Sequence, residues 1–475
     1  MQASMFNVRV PLDTAGGTDD VFLMNTFSDA QLIVSRDVAA LLDGASSRSA
    51  LTLTDEEREA WSTLSEQGFL VPDRATERQD LEQYFRDIRE GQDQLRVTVL
   101  TTMQCNFACD YCFQGDHGDY NKTATKMTLE TADRVAAWTE ERLDTLKPES
   151  FVLTLFGGEP LLNLPVAYYL AERLSASAQA RGVRMMINLI TNGLLLTPAV
   201  VDRLSPCGLN SVKITLDGDH DTHNRMRPLR GGQGTFDKII ENIRQVAGKC
   251  RITIGGNFDE SSVDSYPALL DFLRAQEFAD KLVRVAFKPV IREPKPPKGI
   301  IPLTVVGAAG KPLNGTCMTS AGSGTSSTSV CDNCNFLDEK MVTLREETKQ
   351  RGFATIDGVH MGPCEIHKRH SHTIGADGAL YACPGFTGEA KQSTGHIDGR
   401  VEERRLQAAA RFDQIAAWKD CDDCAFIPVC AGGCSVAAHS ELGDMNKPNC
   451  HKTSFEAGVV SLAREAAVRE MATVN

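Results

Sequence analysis

The chain has 475 residues, of which 42% are hydrophobic and 24% charged, a composition typical of a globular protein with several domains. Its formal net charge of −13 and its lack of a Lys/Arg run exclude the basic face that a nucleic-acid partner requires. No apolar run approaches the ~20 residues that cross a bilayer, and the first residues lack a secretory signal. We therefore expect a cytoplasmic protein with no membrane partner.

Residues 1–92 are predicted to form a small N-terminal module with a connecting helix. The strand-like runs VFLMNTF and AQLIVS come before the helical segments VAALLD and TDEEREAWSTLSEQGFLV. Thr54 and Glu57 have the spacing of a capping box, which marks the start of the second helix. Residues 76–92 are predicted to form an exposed connecting helix. The order of strands and helices favours a compact winged-helix-like module.

Residues 93–298 alternate between short β-branched runs and helical stretches. Strand–helix alternation of this kind predicts βαβ units and a parallel sheet. Six units are enough for a partial (β/α)6 barrel, so the predicted fold class is α/β with chemistry at the carboxyl ends of the strands. The six runs are LRVTVL, FVLTLF, MINLIT, SVKITL, CRITIG and VRVAFKPV.

The cysteines are unevenly distributed, and this predicts where the chemistry lies. Of fifteen cysteines, none precedes Cys105 and nine follow residue 330. In a long cytosolic chain, clustered cysteines bind metal more often than they form disulfides. Residues 299–362 are predicted to be a Gly/Ser/Thr-rich insertion or linker, and residues 363–475 a cysteine-rich domain.

The first predicted strand runs directly into TTMQCNFACDYCFQG, where Cys105, Cys109 and Cys112 have the spacing C-x3-C-x2-C. A 4Fe–4S cluster usually takes four thiolates, so three ligands on one loop leave one iron open. An open iron can chelate the amino and carboxylate groups of S-adenosylmethionine and can cleave it reductively to a 5′-deoxyadenosyl radical. A zinc site is the alternative, although zinc favours paired knuckles and four closed ligands.

Four motifs, CNFACDYC, FGGEP, TNG and TLDG, occur in the order and spacing of the radical SAM enzymes, which this chain resembles over 94–290. The resemblance implies that Tyr111 or Phe113 lies near the adenine of S-adenosylmethionine. It also implies that the GGE motif binds the methionine amino group, since a carboxylate suits an ammonium ion. The residues of that motif are Gly157, Gly158 and Glu159.

The same resemblance assigns cofactor-binding roles further along the chain. Asn192 of the TNG motif is implied to face the cofactor, and Thr215 and Asp217 are implied to lie near its ribose. The segment DGDHDTHNRMRPLRGGQGTFD is similar to a family segment that carries a His and an Arg. These two family residues match His223 and Arg227 here. We expect Arg227 to meet the cofactor carboxylate, with Arg225 and Arg230 as alternatives; for His223 a structural role in the loop is favoured over catalysis.

The cysteine-rich C-terminal region contains seven further cysteines in two spacing patterns. The knuckle-like spacings predict zinc ribbons or iron–sulfur clusters. Seven thiols cannot fill two four-thiolate sites, so one site lacks a ligand. The cysteines are Cys364, Cys383, Cys421, Cys424, Cys430, Cys434 and Cys450.

This spacing resembles the SPASM extension of radical SAM enzymes, which carries auxiliary 4Fe–4S clusters. The resemblance implies a first auxiliary group, made of Cys421, Cys424, Cys430 and Cys450, and a second auxiliary group, made of Cys364, Cys383 and Cys434. The fourth site of the second group is either open or filled from outside the motif, and the candidates for that ligand are Cys317, Cys331 and Cys334. Cys207 and Cys250 are expected to be small core residues. A hairpin with its turn at 376–378 is predicted between Cys364 and Cys383.

SPASM enzymes mostly modify peptides or proteins, so the resemblance implies a polypeptide substrate. The N-terminal module loosely resembles domains that bind a leader peptide by strand addition; a structural cap is the alternative. The product expected first is a thioether crosslink and second a carbon–carbon link, with flavodoxin or ferredoxin as electron donor. An anaerobic sulfatase maturase is the rival, but Pro384 stands where that family has an Asp. A non-catalytic electron-transfer or scaffold protein is the alternative from another class.

Overall fold

The computed structural model describes residues 1–13, 19–46, 53–114, 124–291, 332–360 and 362–474. At the N-terminus, three antiparallel strands pair in the order β2-β3-β4, and β1 pairs with β5 in a separate two-stranded sheet. The elements of this part are β1 (Gln2–Ala3), β2 (Asn7–Asp13), β3 (Asp19–Asn25), β4 (Gln31–Ser35), α1 (Arg36–Asp43), α2 (Asp55–Glu66), β5 (Leu70–Val71) and α3 (Arg74–Glu90).

The predicted capping box of α2 is confirmed, since Thr54 and the Glu57 side chain satisfy each other's backbone N–H groups. The strand β2 was not anticipated because Pro11 argues against a strand, but β2 lies at a sheet edge, where proline is tolerated. The prediction of an exposed connecting helix was wrong in part. Helix α3 buries Leu81 and Phe85 against Trp418 of the C-terminal region.

The strand β3 is buried on both faces, which ties the N-terminal sheet to the rest of the chain. On one face, Leu23 packs with Leu42 and Leu64 of the two small helices. On the other face, Phe22 and Met24 pack against the C-terminal helix. Apolar burial of this kind contributes about 25 cal/mol per Å², so this sheet is held in place from both sides.

The central sheet confirms the predicted partial barrel, because its six strands are parallel and neighbour one another in chain order. They are β6 (Gln94–Leu100), β7 (Ser150–Phe156), β8 (Arg184–Thr191), β9 (Leu209–Thr215), β10 (Ile252–Phe258) and β11 (Leu282–Pro289). The helices between them are α4 (Leu129–Leu146), α5 (Leu164–Ala180), α6 (Pro198–Leu204), α7 (His220–Met226), α8 (Phe236–Val246) and α9 (Tyr266–Arg274).

The main core lies between these strands and their helices. Alternate strand residues such as Leu153 and Leu155 are fully buried against helical residues such as Leu170 and Val135. The other set of strand residues faces the barrel interior. The carboxyl ends of all six parallel strands therefore lie along the same edge of the barrel, which we call the rim. The sequence motifs lie at these strand ends.

Three short strands extend the sheet beyond β6. They are β12 (Ser371–Ile374), which pairs parallel with β6, β13 (Ala379–Tyr381) and β14 (Gly395–His396). Strands β12 and β13 form the predicted hairpin, with Gly378 at φ +88 in its turn. The hairpin itself was predicted; its addition to the barrel sheet was not, since no local pattern encodes which edge a hairpin joins.

The C-terminal region is mostly short helices around the cysteines. Its helices are α10 (Asp332–Gln350), α11 (Glu403–Asp413), α12 (Ile427–Cys430), α13 (Ser435–Leu442) and α14 (Lys452–Val474). Helix α10 lies inside the segment 299–362 that was expected to be an insertion or linker, and it buries Leu344 in the main core. In the described ranges, no helix is both long and apolar enough to cross a membrane.

Candidate functional site

The loop of residues 105–112, which we call the cysteine loop, is held at the rim by the GGE motif. Backbone N–H groups of Gly158 and Glu159 donate to the carbonyl oxygens of Thr102 and Gln104, each at 2.8 Å. A Cβ atom at Gly157 would lie 2.3 Å from the Thr102 carbonyl oxygen, so a side chain is excluded there. The glycines thus permit close approach between the motif and the start of the cysteine loop.

The three thiols of the cysteine loop sit in a mostly buried setting. Cys109 is buried, and Cys105 and Cys112 are half-buried. Burial raises the pKa of Cys105 to about 12 and that of Cys109 to about 11. Thiols in such surroundings ionise only when a positive partner such as a metal is bound.

Glu159 is the polar centre beneath this loop. It is fully buried, and its Oε1 accepts hydrogen bonds from Thr191 Oγ1 at 2.7 Å and from Leu161 N at 3.1 Å. Its Oε2 accepts from Asn192 N at 2.8 Å. Burial raises the pKa of Glu159, while these three donors oppose that shift. The GGE and TNG motifs therefore meet at one carboxylate.

Asn192 also reaches the cysteine loop directly. Its Nδ2 donates to Asn106 Oδ1 at 2.7 Å, and the backbone carbonyl of Asn106 accepts from Arg230 N at 3.1 Å. Neither Asn106 nor Thr191 was predicted from the sequence to belong to the site. Their only signal was position, one inside the cysteine motif and one at the end of β8.

A second polar group forms around Asp217, which has a fully buried side chain. Asp217 Oδ1 accepts from Asn257 N at 2.7 Å, and Oδ2 accepts from Arg227 Nη1 at 3.3 Å and from the Tyr111 hydroxyl. Burial raises the pKa of Tyr111 well above its usual value, so this phenol stays protonated and donates. Asn257, at the end of β10, was missed because an isolated asparagine after a strand carries no distinctive motif.

Of the three arginines considered for the cofactor carboxylate, the structure buries Arg227 and exposes Arg225 and Arg230. Arg227 is paired with Asp217, and its buried Nε has no hydrogen-bond partner among the described residues. An unpartnered buried donor of this kind suits an incoming anion.

His223 occupies the position that its structural interpretation requires. It is fully buried; its Nδ1 accepts from Asp217 N at 3.1 Å, and its Nε2 lies 3.1 Å from Thr235 Oγ1. Burial and the neighbouring Arg227 lower the pKa of His223 well below its usual value. The ring is therefore neutral and connects the Asp217 strand end to the following loop.

Phe113 lies apart from Tyr111. Its side chain is 52% exposed, and its ring centroid lies 6.5 Å from that of Phe156 at the end of β7. Thr215 ends β9, where it pairs in register with Gly255 of β10. The two aromatic candidates for the adenine position thus face different surroundings, and Tyr111 belongs to the Asp217 group.

The later cysteines lie near one another in the two groups that the resemblance implied. The thiol of Cys430 has its pKa raised to about 12, first by burial and then by the nearby thiols of Cys421, Cys450 and Cys424. The pKa of Cys383 is likewise raised to about 12 by burial, with contributions from Cys364 and Cys434.

For the candidates for the missing ligand of the second auxiliary group, the structure describes no side-chain position. Cys317 and Cys331 lie outside the described residues, and Cys334 lies on α10 with no described side chain. Cys207 is buried, as expected, and Cys250 packs half-buried against the main core.

The donor chemistry of all three thiol sets fits iron–sulfur clusters. Within the described ranges, no three His, Cys, Asp or Glu side chains converge closely enough to hold a single metal ion. The thiolates of a 4Fe–4S cluster bind separate irons and need not converge on one point. Cys105, Cys109 and Cys112 would hold one cluster, and the two auxiliary groups would hold the others.

Comparisons with known proteins agree with this geometry. The family model of the radical SAM superfamily matches residues 99–260. The Fe-coproporphyrin III synthase of Methanosarcina barkeri is 26% identical over 190 residues, covering 39% of this chain and 41% of that protein. The serine-type anaerobic sulfatase-maturating enzyme of Bacteroides thetaiotaomicron is 26% identical over 140 residues, covering 29% of this chain and 33% of that protein.

Similarity in structure extends further than similarity in sequence. The structure described as native anSMEcpe with bound AdoMet and Cp18Cys peptide has a TM-score of 0.55 at 14% identity and covers 80% of this chain and 100% of its own. This likeness concerns the fold alone, and the curated relatives are matched over less than half of their length. Residues 99–260 therefore form a radical SAM domain, the type of domain whose cofactors are a 4Fe–4S cluster and S-adenosylmethionine.

Proposed function

We propose that this chain is a radical SAM maturase that modifies a ribosomally made polypeptide. The supporting observation is the position of the second auxiliary group. Its Cys383 directly follows the hairpin that joins β6, yet the Cys383 thiol lies close enough to Lys288 of β11 for that cation to lower its pKa. Strands β6 and β11 are the first and last of the six parallel strands. The proximity of Cys383 to residues of both strands supports a second auxiliary group near the opening between them.

The residues at the rim would each bind a different part of S-adenosylmethionine. S-adenosylmethionine, once cleaved at its cluster, supplies a radical that abstracts hydrogen from a carbon of the substrate. Glu159 would bind the methionine amino group, Asp217 the ribose, and Arg227 Nε the carboxylate. The polar groups of Asn192 and Asn257 hold these side chains in position. A substrate placed between this rim and Cys383 lies within reach of both.

The N-terminal sheet supports a polypeptide as the substrate. Strand β4 lies at the edge of that sheet, and the backbone of an edge strand can accept an added strand from a leader peptide. The alternative, that the N-terminal module is a structural cap, is supported by the packing of Phe22 and Met24 against the C-terminal helix. Strand addition would use the β4 edge, whereas the anchoring contacts use a face of the sheet, so a leader can bind while the sheet stays anchored.

The bond formed is proposed to be a thioether from a substrate cysteine, with a carbon–carbon link as the second candidate. An open coordination position in the second auxiliary group would suit a substrate thiolate. Sulfatase-type oxidation to formylglycine is disfavoured, because Pro384 begins a short helical turn where the resembling family has an acidic base. An electron-transfer or scaffold protein would have no use for the buried Glu159.

The test is anaerobic incubation of the reconstituted protein with S-adenosylmethionine and dithionite. We expect 5′-deoxyadenosine from the wild type and background amounts from Cys105→Ala. Iron content and the absorbance of the auxiliary clusters serve as controls that the variant is otherwise loaded. Equal, background-level product from both proteins with full clusters would favour the scaffold alternative.

A further inference from the structure

A lysine on the fourth strand of the barrel points into its interior. On β9, Val212 and Ile214 are fully buried against the helices, so strand alternation places Lys213 on the opposite, interior face. The register partners of Lys213 on the neighbouring strands are Ile190 of β8 and Thr253 of β10. Neither residue carries a charge that could neutralise a lysine.

The side chain of Lys213 lies across the neighbouring strand at a glycine. A Cβ atom on Gly255 of β10 would come within 2.6 Å of Lys213 Cε. Gly255 therefore leaves the space through which the lysine extends towards β11. Burial and the charge of Lys288 on that strand lower the pKa of Lys213 to about 8.

Lys213 and Lys288 form a pair of cations without a carboxylate partner among the described residues. Lys213 is half-buried and Lys288 is exposed at the barrel mouth, and a half-buried cation beside a like charge is stabilised when an anion joins it. The pair therefore has the character of a binding site for an anionic group that comes from outside the chain.

The location of the two lysines indicates which molecule carries the anionic group. Lys288 is the register partner of Asn257, which donates to Asp217 at the cofactor rim. Lys288 also lies close to the Cys383 thiol. The two lysines thus lie between the cofactor residues and the second auxiliary group, where the reacting part of a substrate must sit.

We propose that Lys213 and Lys288 bind a carboxylate of the substrate polypeptide next to its reacting carbon. This inference rests on the proposed maturase function and narrows its substrate class. The carboxylate comes from an Asp or Glu side chain or from the C-terminus of the peptide. Either fits a cation pair, whereas a neutral amide would leave both charges uncompensated.

The experiment uses the reconstituted holoenzyme with S-adenosylmethionine bound, so that the carboxylate of the cofactor is already in place. Three tripeptides are titrated by calorimetry or ligand-observed NMR: acetyl-Gly-Glu-Gly-amide, acetyl-Gly-Gln-Gly-amide, and acetyl-Gly-Gln-Gly with a free carboxylate. We expect at least one acidic peptide to bind about tenfold more tightly than the neutral peptide. The stronger of the two identifies the source of the carboxylate.

Two variants locate the binding. Lys213→Met is expected to remove the preference for acidic peptides, and Gly255→Ala is expected to weaken it while the lysine charge remains, since the added methyl group displaces the side chain. Lys249→Met serves as the matched control, because Lys249 pairs with Asp202 at the surface. If Lys213→Met fails to fold, the preference of Gly255→Ala for acidic over neutral peptides is the test of the inference.

Equal binding of acidic and neutral peptides, or an acidic preference that survives both variants, would overturn the inference. Acidic binding that is seen only when S-adenosylmethionine is left out would also overturn it, because the lysines would then hold the cofactor carboxylate. The measurement needs no turnover. A failure of radical chemistry would therefore count against the proposed function and not against the binding result. If 5′-deoxyadenosine still forms but acidic peptides are not preferred, only this inference is rejected.

Discussion

The Oε2 atom of Glu159 accepts a hydrogen bond from the backbone N–H of Asn192 at 2.8 Å, which joins two rim motifs 33 residues apart in the chain. Every partner of this carboxylate is a donor, so a glutamine at position 159 would set its own NH2 group against an N–H or O–H group. We predict that Glu159→Gln weakens binding of S-adenosylmethionine at least about tenfold, because one buried hydrogen bond is lost. Equilibrium binding to the reconstituted protein measures this. Glu172→Gln, at the surface, is the control, and unchanged affinity in Glu159→Gln would contradict the assigned role.

The glycine pair that holds the cysteine loop gives a second prediction. Gly157→Ala places a methyl group 2.3 Å from the Thr102 carbonyl oxygen at φ +149. We expect the cysteine loop to be displaced and its cluster to be lost, which iron analysis shows as about four fewer irons per chain. Gly182→Ala is the matched control, since Gly182 also has positive φ but no atom within 4 Å. An equal loss of iron from both variants would show that backbone strain at positive φ, and not the close approach, displaces the loop. Full iron in both variants would contradict the prediction.

The auxiliary groups predict how much iron each cysteine holds. A chain with three clusters contains about 12 irons. Cys430→Ala and Cys383→Ala should each lose about four, from different clusters, whereas Cys207→Ala should lose none. Iron analysis together with Mössbauer or EPR spectroscopy distinguishes the clusters. A loss shared by Cys430→Ala and Cys383→Ala in one spectral component would mean that the two groups form a single site.

The edge strand β4 allows a test of leader binding, with folding checked first because Ile33 also packs against the cluster around Phe22 and Met24. Asn25 N donates to Ala30 O, so this antiparallel pair is hydrogen-bonded and the alternation along β4 turns the N–H of Ile33 outward and that of Leu32 towards β3. We predict that Ile33→Pro removes peptide affinity while 5′-deoxyadenosine formation without peptide persists. Leu32→Pro should instead lower the free energy of unfolding by about 1–3 kcal/mol, since it removes a ladder hydrogen bond and leaves its acceptor on β3 unpaired. Full peptide affinity in a folded Ile33→Pro protein would refute strand addition at this edge.

A buried histidine makes stability depend on pH. Burial and the nearby Arg89 lower the pKa of His367 to about 4, against 6.5 for an ordinary histidine. Between these values the unfolded chain binds a proton and the folded chain does not, so the free energy of unfolding falls as pH falls from 6.5 towards 4. The slope is about 1.4 kcal/mol per pH unit. Other buried histidines with a lowered pKa, such as His223, add slopes of their own, so His367→Phe should reduce the measured slope by about 1.4 kcal/mol per pH unit rather than abolish it. His220→Asn, at the surface, should not reduce it; equal slopes for His367→Phe and the wild type in urea titrations would contradict this.

The parts of the fold encoded by local patterns were predictable, and the long-range contacts were not. The six strands, the capping box at Thr54 and the hairpin turn at Gly378 each follow from a few neighbouring residues. The addition of β12 to β6 joins residues about 270 positions apart by backbone hydrogen bonds, which leave little trace in side-chain sequence.

The same division applies to the site. Glu159 and Asp217 were found because their motifs have a fixed order, while Asn106 and Asn257 were missed because each is a single polar residue without a pattern. Lys213 also gave no signal, because its interest comes from Gly255 and Lys288 on neighbouring strands rather than from its own neighbours in the chain.

The most direct test of the maturase account is the origin of the hydrogen in 5′-deoxyadenosine. Extract of the native host grown on deuterated amino acids is dialysed, and the reconstituted enzyme is incubated with the retained polypeptides or with the small molecules that pass through. The account predicts that mass spectrometry finds deuterium in 5′-deoxyadenosine from the polypeptide fraction, and that Cys105→Ala or protease treatment of the fraction abolishes it. Deuterium transfer from the small-molecule fraction alone would contradict the account.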